Sequence, residues 1–413
     1  MLDVISTNQW KQSKTVIVSF NIIAAFFSRL GLNFSLSAPS LIAAARKKSG
    51  LYHFSDETFM PGLIKLTDDM NRSAHLSHLG RLLMRRRMID ALVTRLETDD
   101  LLKKHPEILN QTLPDIWIIG SLPRTGTTML QRLLASDPAT RPTLTWETLF
   151  PISPKSGKKD WRKFKTKLLE KLLHYLSPEI CAIHPIFHDA PEEDIVIMQP
   201  SFLSQNPELV MNVPNYKNWL ESTDKTSAYE HLRKVLMILQ WQQPQKRWLL
   251  KNPFHMEDLD TLMKVFPEAK VIFIHRDPSK IVASFCSLVA HNTLLLSNKI
   301  DIKRIGQQWK NKYLRLINRS MAFRETLNPD QFIDIAYADL MKEPFTEVEK
   351  IYKKFDAPFT PAAKACMQTH RQHNTQHKNG RHHYQLDDFG LSDAEITEEF
   401  AHYCKQYNIP RER

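Results

Sequence analysis

The sequence predicts an α/β fold: a parallel sheet flanked by helices on both faces, with a helical region ahead of it. Three observations carry this. Ile116–Gly120 is mostly apolar, partly β-branched and free of polar alternation, as a strand buried on both faces is, and Arg247–Lys251, Lys270–His275 and Gln331–Tyr337 read as three further short strands. Between them lie longer segments whose apolar residues recur at three- and four-residue spacing, the helical period. The first stretch runs through a glycine turn, Ser121-Leu122-Pro123-Arg124-Thr125-Gly126, straight into such a segment. Strands separated by helices in this way form parallel sheets, whose ligands sit at the carboxyl ends of the strands.

At 413 residues and 42% hydrophobic content the chain can bury a sizeable core, as one elaborated domain or as two to three ordinary ones. A formal charge of +11 favours anionic partners without choosing among nucleotide, nucleic acid, anionic lipid and sulfated or phosphorylated product. Cys181, Cys286, Cys366 and Cys404 are scattered with no C-x-x-C pair, which argues against zinc and a disulfide framework and fits a reducing, cytoplasmic setting.

Taken in order, Thr15–Phe27 is apolar but shorter than the roughly 20 residues a spanning helix needs. It reads as a buried or membrane-surface helix, a point of peripheral membrane contact. Helices follow at Leu41–Lys48, Phe59–Asn71, Ala74–Glu97 and Asp99–Leu109. Arg81, Arg85, Arg86 and Arg87 give the third a basic face, read as solvated rather than as a nucleic-acid surface. A helical region 1–112 and an α/β domain 113–413 result. Asp137-Pro138 stops the helix after the glycine turn. Lys155–Lys167 is basic, with apolar spacing resuming at Leu168; 178–199 is irregular and 207–220 loop-like. Further helices are expected at Ser227–Gln242, His255–Phe266, Pro278–Val289, Ile302–Leu327 and Pro344–Phe355.

The glycine turn has the makings of a phosphate cradle. Gly126 lets the backbone approach an anion, and the helix that follows places roughly half a positive charge at its N-terminus. Thr127 and Thr128 can donate hydroxyls to phosphate oxygens, and Arg124 adds a forked cation. The nucleotide triphosphatase pattern G-x-x-x-x-G-K-[ST] is not met, because the glycines are one residue too far apart and Thr127 stands where lysine belongs. Pro123-Arg124-Thr125-Gly126-Thr127-Thr128 instead resembles the 5′-phosphosulfate loop of sulfotransferases that use 3′-phosphoadenosine 5′-phosphosulfate (PAPS), a family with a P-loop, nucleotide-kinase-like core.

Other strand ends extend the resemblance in consistent order to about Leu391. Arg276, in His275-Arg276-Asp277-Pro278, and Ser284 eight residues on can converge on one phosphate; the family binds the 3′-phosphate with an arginine and a serine at that spacing. Without DFG or a glycine-rich hairpin, His275-Arg276-Asp277 does not indicate a protein kinase. Trp248–His255 is similar to the L-K-S-P-x-H segment of a mostly bacterial branch, with Asn252 in the serine's place, and puts Lys251 at the same edge. Tyr337, Asp339 and Leu340 resemble the Y-x-D-L segment whose tyrosine lies near the adenine. Lys378, Gly380 and Arg381 resemble the basic loop that folds over the 3′-phosphate.

Transfer to a hydroxyl needs a base. Trp146-Glu147-Thr148 resembles the segment where related branches place a glutamate, so Glu147 is the expected base, with His255 the alternative. Arg124 and Lys251 would steady the transferring group, and no metal is implied. His370, His373 and His377 could share a helix face near Cys366, but their spacing matches no standard zinc pattern. Pro191-Glu192-Glu193-Asp194 and His188 are expected on the acceptor side. The resemblance implies sulfuryl transfer from PAPS to a small-molecule, glycan or lipid hydroxyl, leaving the desulfated nucleotide (PAP). An ATP-dependent phosphotransferase and a non-catalytic basic scaffold for nucleic acid or lipid are the alternatives.

Overall fold

A computed structural model describes residues 15–29, 34–113, 115–154, 159–178, 180, 185–243, 246–373 and 384–412. Five strands, β1 Ile116–Ile119, β2 Thr140–Pro142, β3 Arg247–Lys251, β4 Lys270–His275 and β5 Phe332–Ala336, form one parallel sheet in the order β2-β3-β1-β4-β5. At its centre, Ile119 of β1 is level with Lys251 of β3 and Ile272 of β4. The carboxyl ends of the two strands richest in site residues therefore flank the glycine turn.

The missing polar alternation has a packing reason. Ile116 and Ile118 of β1, Trp248 and Leu250 of β3, and Val271 and Phe273 of β4 face one apolar core. Trp117, Ile119, Leu249, Ile272 and Ile274 face a second on the other side. Both faces are buried, so the period of two is present in space but hidden in composition. Each such side chain contributes about 1.5–3 kcal/mol on burial, which makes a polar residue costly on either face.

The N-terminal helices α1 (Thr15–Arg29), α2 (Ala38–Ser49), α3 (Met60–Arg72) and α4 (His78–Lys104) lie ahead of the sheet. Leu41, Leu63 and Leu92 from α2, α3 and α4 join the first core, so this region shares packing with the α/β part. α4 also touches the helix Pro278–Leu296, and Gly80 allows the contact: a Cβ there would lie 1.9 Å from the Leu296 carbonyl oxygen. Pro278–Leu296 is long and apolar enough to cross a membrane, but it is mostly buried in the core.

Several elements depart from the sequence expectation for identifiable reasons. Strand β2 was not anticipated; it is three residues long at the sheet edge, where Pro142 is tolerated. The expected break between Ala74–Glu97 and Asp99–Leu109 is absent, and α4 runs on to Lys104. The Asp99 carboxylate, within that helix, accepts bonds from Ser55 N and Oγ. Pro207–Leu220 contains the helix Pro214–Glu221, whose Tyr216 N–H donates to Asp69 of α3, a cap supplied from 147 positions away. His255–Phe266 splits into a 3-10 turn, Pro253–Met256, and a helix, Leu259–Val265.

Candidate active site

β1 feeds the turn and α5 (Thr127–Leu134) leaves it. Gly126 caps α5 at φ +87°, where only glycine is comfortable, and a Cβ would meet Met341 at 3.3 Å. Arg124 also lies in the left-handed region, at φ +68°, a conformation that costs a non-glycine residue on the order of 1 kcal/mol. Its neighbours hold it there. The Arg124 carbonyl accepts from Arg276 Nη1 at 2.7 Å, and Arg124 Nε donates to Ser284 Oγ at 2.9 Å. Three residues from separate strand ends and a helix thus form one bonded cluster. Tyr337, the first residue of the helix after β5, lies with its ring 4.0 Å from the Arg276 guanidinium carbon.

The Arg276 fork grips the Glu412 carboxylate through Nε at 2.7 Å and Nη2 at 2.8 Å. A carboxylate presents two anionic oxygens as a phosphate does, so the fork is already shaped for a planar, bidentate anion contact. On the other flank, Lys251 is buried at the end of β3; its Nζ donates to Thr128 Oγ1 at 3.2 Å and pairs with Glu193 at 2.9 Å. Thr127 is buried at the start of α5. The Thr125 hydroxyl is committed to the Leu122 carbonyl at 2.8 Å, which leaves that residue's backbone as what it can offer an anion. Lys378, Gly380 and Arg381 lie outside the described residues.

Neither expected base lines the cavity beside this cluster. Glu147 is buried in α6 (Thr145–Leu149), accepting from Arg141 Nη2 at 2.8 Å, Gln243 Nε2 at 3.3 Å and Leu144 N at 3.2 Å. Its oxygens are spent on a buried ion pair and on capping its own helix. His255 is likewise enclosed, with Nδ1 against the Tyr229 hydroxyl at 2.9 Å and Nε2 against Asp194 at 3.1 Å. Both ring nitrogens hold neighbouring segments together. Both residues, expected from sequence as the base, are placed behind the cavity wall, each engaged in bonds that brace it.

The carboxylates that do face the cavity are Glu192 and Glu193. The cavity is about 370 Å³, walled at one end by Arg124, Thr127, Thr128 and these two glutamates. Its remaining walls are largely apolar, from Leu83 and Met84 of α4, Leu173 of α7 (Arg162–Leu176), and Phe285, Leu288 and Val289 of the helix Pro278–Leu296. Glu192 is set by its backbone: its N–H donates to Thr143 O, and its carbonyl accepts from Thr143 Oγ1 and Gln131 Nε2. Burial first, and then the adjacent Glu193 charge, raise its carboxyl above the ordinary value. A carboxylate so raised is a better proton acceptor. The acidic run after Pro191 was visible in the sequence, but nothing there distinguishes a buried run from a solvated one. Among the described residues no group of three or more His, Cys, Asp or Glu side chains is placed to hold a metal ion.

Comparison with known proteins identifies the family. The model of the sulfotransferase family matches residues 114–361. The chain is 26% identical over 254 residues to the omega-hydroxy-beta-dihydromenaquinone-9 sulfotransferases of Mycobacterium bovis and Mycobacterium tuberculosis, covering 58% of this chain. It spans 62% of the length of those relatives. A sulfotransferase structure from Mycobacterium tuberculosis superposes with a TM-score of 0.78 at 31% identity over 89% of this chain and 98% of that one. One from Mycobacterium avium does so with a TM-score of 0.82 at 28% identity over 91% and 97%. The chain belongs to the sulfotransferase family.

Proposed function

We propose that the protein moves a sulfuryl group from PAPS to the hydroxyl of a small or lipid acceptor. The observation that carries this reading is the bonded cluster of Arg124, Ser284 and Arg276 beside the N-terminus of α5. It gathers the two anion sites that a nucleotide with separate 5′ and 3′ anionic groups needs. The turn and α5 suit the 5′-phosphosulfate, Arg276 and Ser284 the 3′-phosphate, and Tyr337 the edge of the adenine. The acceptor oxygen attacks sulfur in line, the bond from sulfur to the bridging oxygen breaks, and PAP departs. The hydroxyl proton passes to Glu192. Lys251 and Arg124 balance charge on the transferring and leaving oxygens, which is where most of the acceleration in such reactions arises.

The mycobacterial relatives are named for an omega-hydroxylated dihydromenaquinone. The apolar walls here suit an acceptor of similar apolar character. Calorimetric titration without magnesium tests the reading: the wild type should bind PAP and not ATP. Folded protein that binds magnesium–ATP and ignores PAP would make it a phosphotransferase.

A further inference from the structure

Arg87 breaks the apolar lining of the acceptor cavity. It lines that cavity from α4, as Arg124 does from the glycine turn. Its Nε donates to Gln199 Oε1 at 3.1 Å and its Nη2 to Asn206 Oδ1 at 2.8 Å. Both partners are neutral amides, themselves buried. No described carboxylate pairs with it, whereas Arg86 on the same helix has Asp90 and Arg95 has Asp56. Burial pulls the Arg87 pKa down to about 10. An arginine stays charged even so, and a charge held by dipoles alone in an apolar chamber is an incomplete site.

We propose that Arg87 recognises the acceptor: the substrate is an alcohol with an apolar body and an anionic oxygen group, such as a carboxylate, set against this guanidinium. The proposal rests on the sulfuryl-transfer reading and adds the acceptor class to it. The amides of Gln199 and Asn206 fix the guanidinium plane, and the hydroxyl end of the acceptor points along the same cavity towards Glu192 and Thr128.

The test uses ω-hydroxy fatty acids and 1-alkanols of matched chain length, titrated into the PAP-loaded enzyme and assayed with PAPS. The wild type should prefer the hydroxy acids in kcat/KM by about ten- to a hundredfold, as a charged hydrogen bond provides. Arg87→Met should erase that preference and Arg87→Lys restore part of it, with PAP affinity unchanged in both. Equal use of the alkanols, binding of neither series, or a loss of PAP affinity in Arg87→Met would overturn the proposal. Failure of the wild type to bind PAP would instead sink the underlying reading, and that titration is read separately.

A different surface carries a second inference. On α7, Phe164, Leu168 and Leu172, with Trp161 just before the helix, form one outward stripe at three- and four-residue spacing, each between 44 and 60% exposed. Lys163, Lys167 and Lys171 run along one side of it and Lys165 along the other, all exposed. The opposite side of α7 buries Thr166 and sets Leu173 in the acceptor cavity wall. An apolar stripe flanked by a row of lysines on one side and Lys165 on the other matches an anionic membrane surface, while a second copy of the chain would oppose like charges. We infer that α7 docks on anionic lipid, beside the cavity that takes an apolar acceptor. α1, which exposes Val18, Ile22, Ile23 and Phe26 while burying Ile17, would add to that contact.

Co-sedimentation with phosphatidylcholine vesicles, with and without phosphatidylglycerol, tests this. Wild type should bind only the anionic vesicles, less at high salt, and Leu168→Glu/Leu172→Glu should weaken binding about tenfold with PAP affinity kept. No binding by the wild type, equal binding by the variant, or self-association that the variant abolishes would overturn it.

Discussion

The two ends of the cavity are built by different means. At the nucleotide end, most of the polar groups sit within a few residues of a strand's carboxyl end or open the helix after it: Arg124 after β1, Lys251 on β3, Arg276 after β4, Tyr337 after β5. The sheet register brings these together, and Ser284 joins them from the helix that follows β4. At the acceptor end the walls come from α4, α7, the run at Glu192–Val196 and the helix Pro278–Leu296, segments far apart in sequence. Tertiary packing, including the Gly80 contact, positions them. The first end therefore depends on the sheet, and the second could be altered without disturbing it.

The largest effects should separate Glu192, which faces the cavity, from Glu147, which does not. Glu192→Gln should lower kcat by about 10²–10⁴-fold, the usual worth of a general base, while PAP binding holds. Glu147→Gln should act on stability, by about 3 kcal/mol, because Arg141 is left buried without its counter-charge. Turnover per folded molecule and denaturant unfolding, measured on both variants, decide it. If Glu147→Gln removed turnover and spared stability, Glu147 would be the base after all. Glu192 also carries a pH signature. Folding raises the Glu192 carboxyl above its ordinary 4.5, so the folded state holds that proton more tightly than the unfolded one. Wild-type stability is therefore lost as pH rises from about 4.5 through the raised value. Glu192→Gln lacks this penalty: it should be the more stable protein at neutral pH, with the difference closing in acid.

These comparisons also explain what the sequence could and could not reveal. Arg124, Lys251, Arg276 and Ser284 were legible because each belongs to a short run whose strand or helix is legible too. Glu147 stands three residues after Leu144, where a glutamate can turn back to cap its own helix, and here it does, which the sequence segment alone does not reveal. Glu192 was visible as one of three acids, yet its burial depends on Thr143 and Gln131 gripping its backbone. Arg87 sat in a row of four arginines, and only the packing of α4 shows which of them turns inward. β2 and the helix Pro214–Glu221 escaped for the same reason, since an edge partner and a distant Asp69 create them.

At the nucleotide end, Arg276→Ala should cost PAP about 1.5–3 kcal/mol, or roughly ten- to a hundredfold in affinity, through the loss of a charged hydrogen-bonding partner. The same change should leave the Arg87-dependent preference among acceptors intact, because the acceptor end does not lean on Arg276. A change in that preference would mean that the two ends are coupled through the turn, for which the bond from Arg276 to the Arg124 carbonyl is the obvious route.

The smallest expected effect concerns the anion already in the fork. A phosphate entering between Arg276 and Ser284 must displace the Glu412 carboxylate or share the guanidinium with it. The pair is partly exposed, Arg276 at 18% and Glu412 at 30%, so its net worth falls near that of a surface ion pair, about 0.5–1 kcal/mol. Glu412→Ala should then tighten PAP by roughly two- to fivefold. The gain should shrink as salt is raised, because salt weakens the competing pair as well. Calorimetry at two ionic strengths resolves a change of that size. Weaker binding in the variant would reverse the role of Glu412, from competitor to the group that holds Arg276 in place against Tyr337.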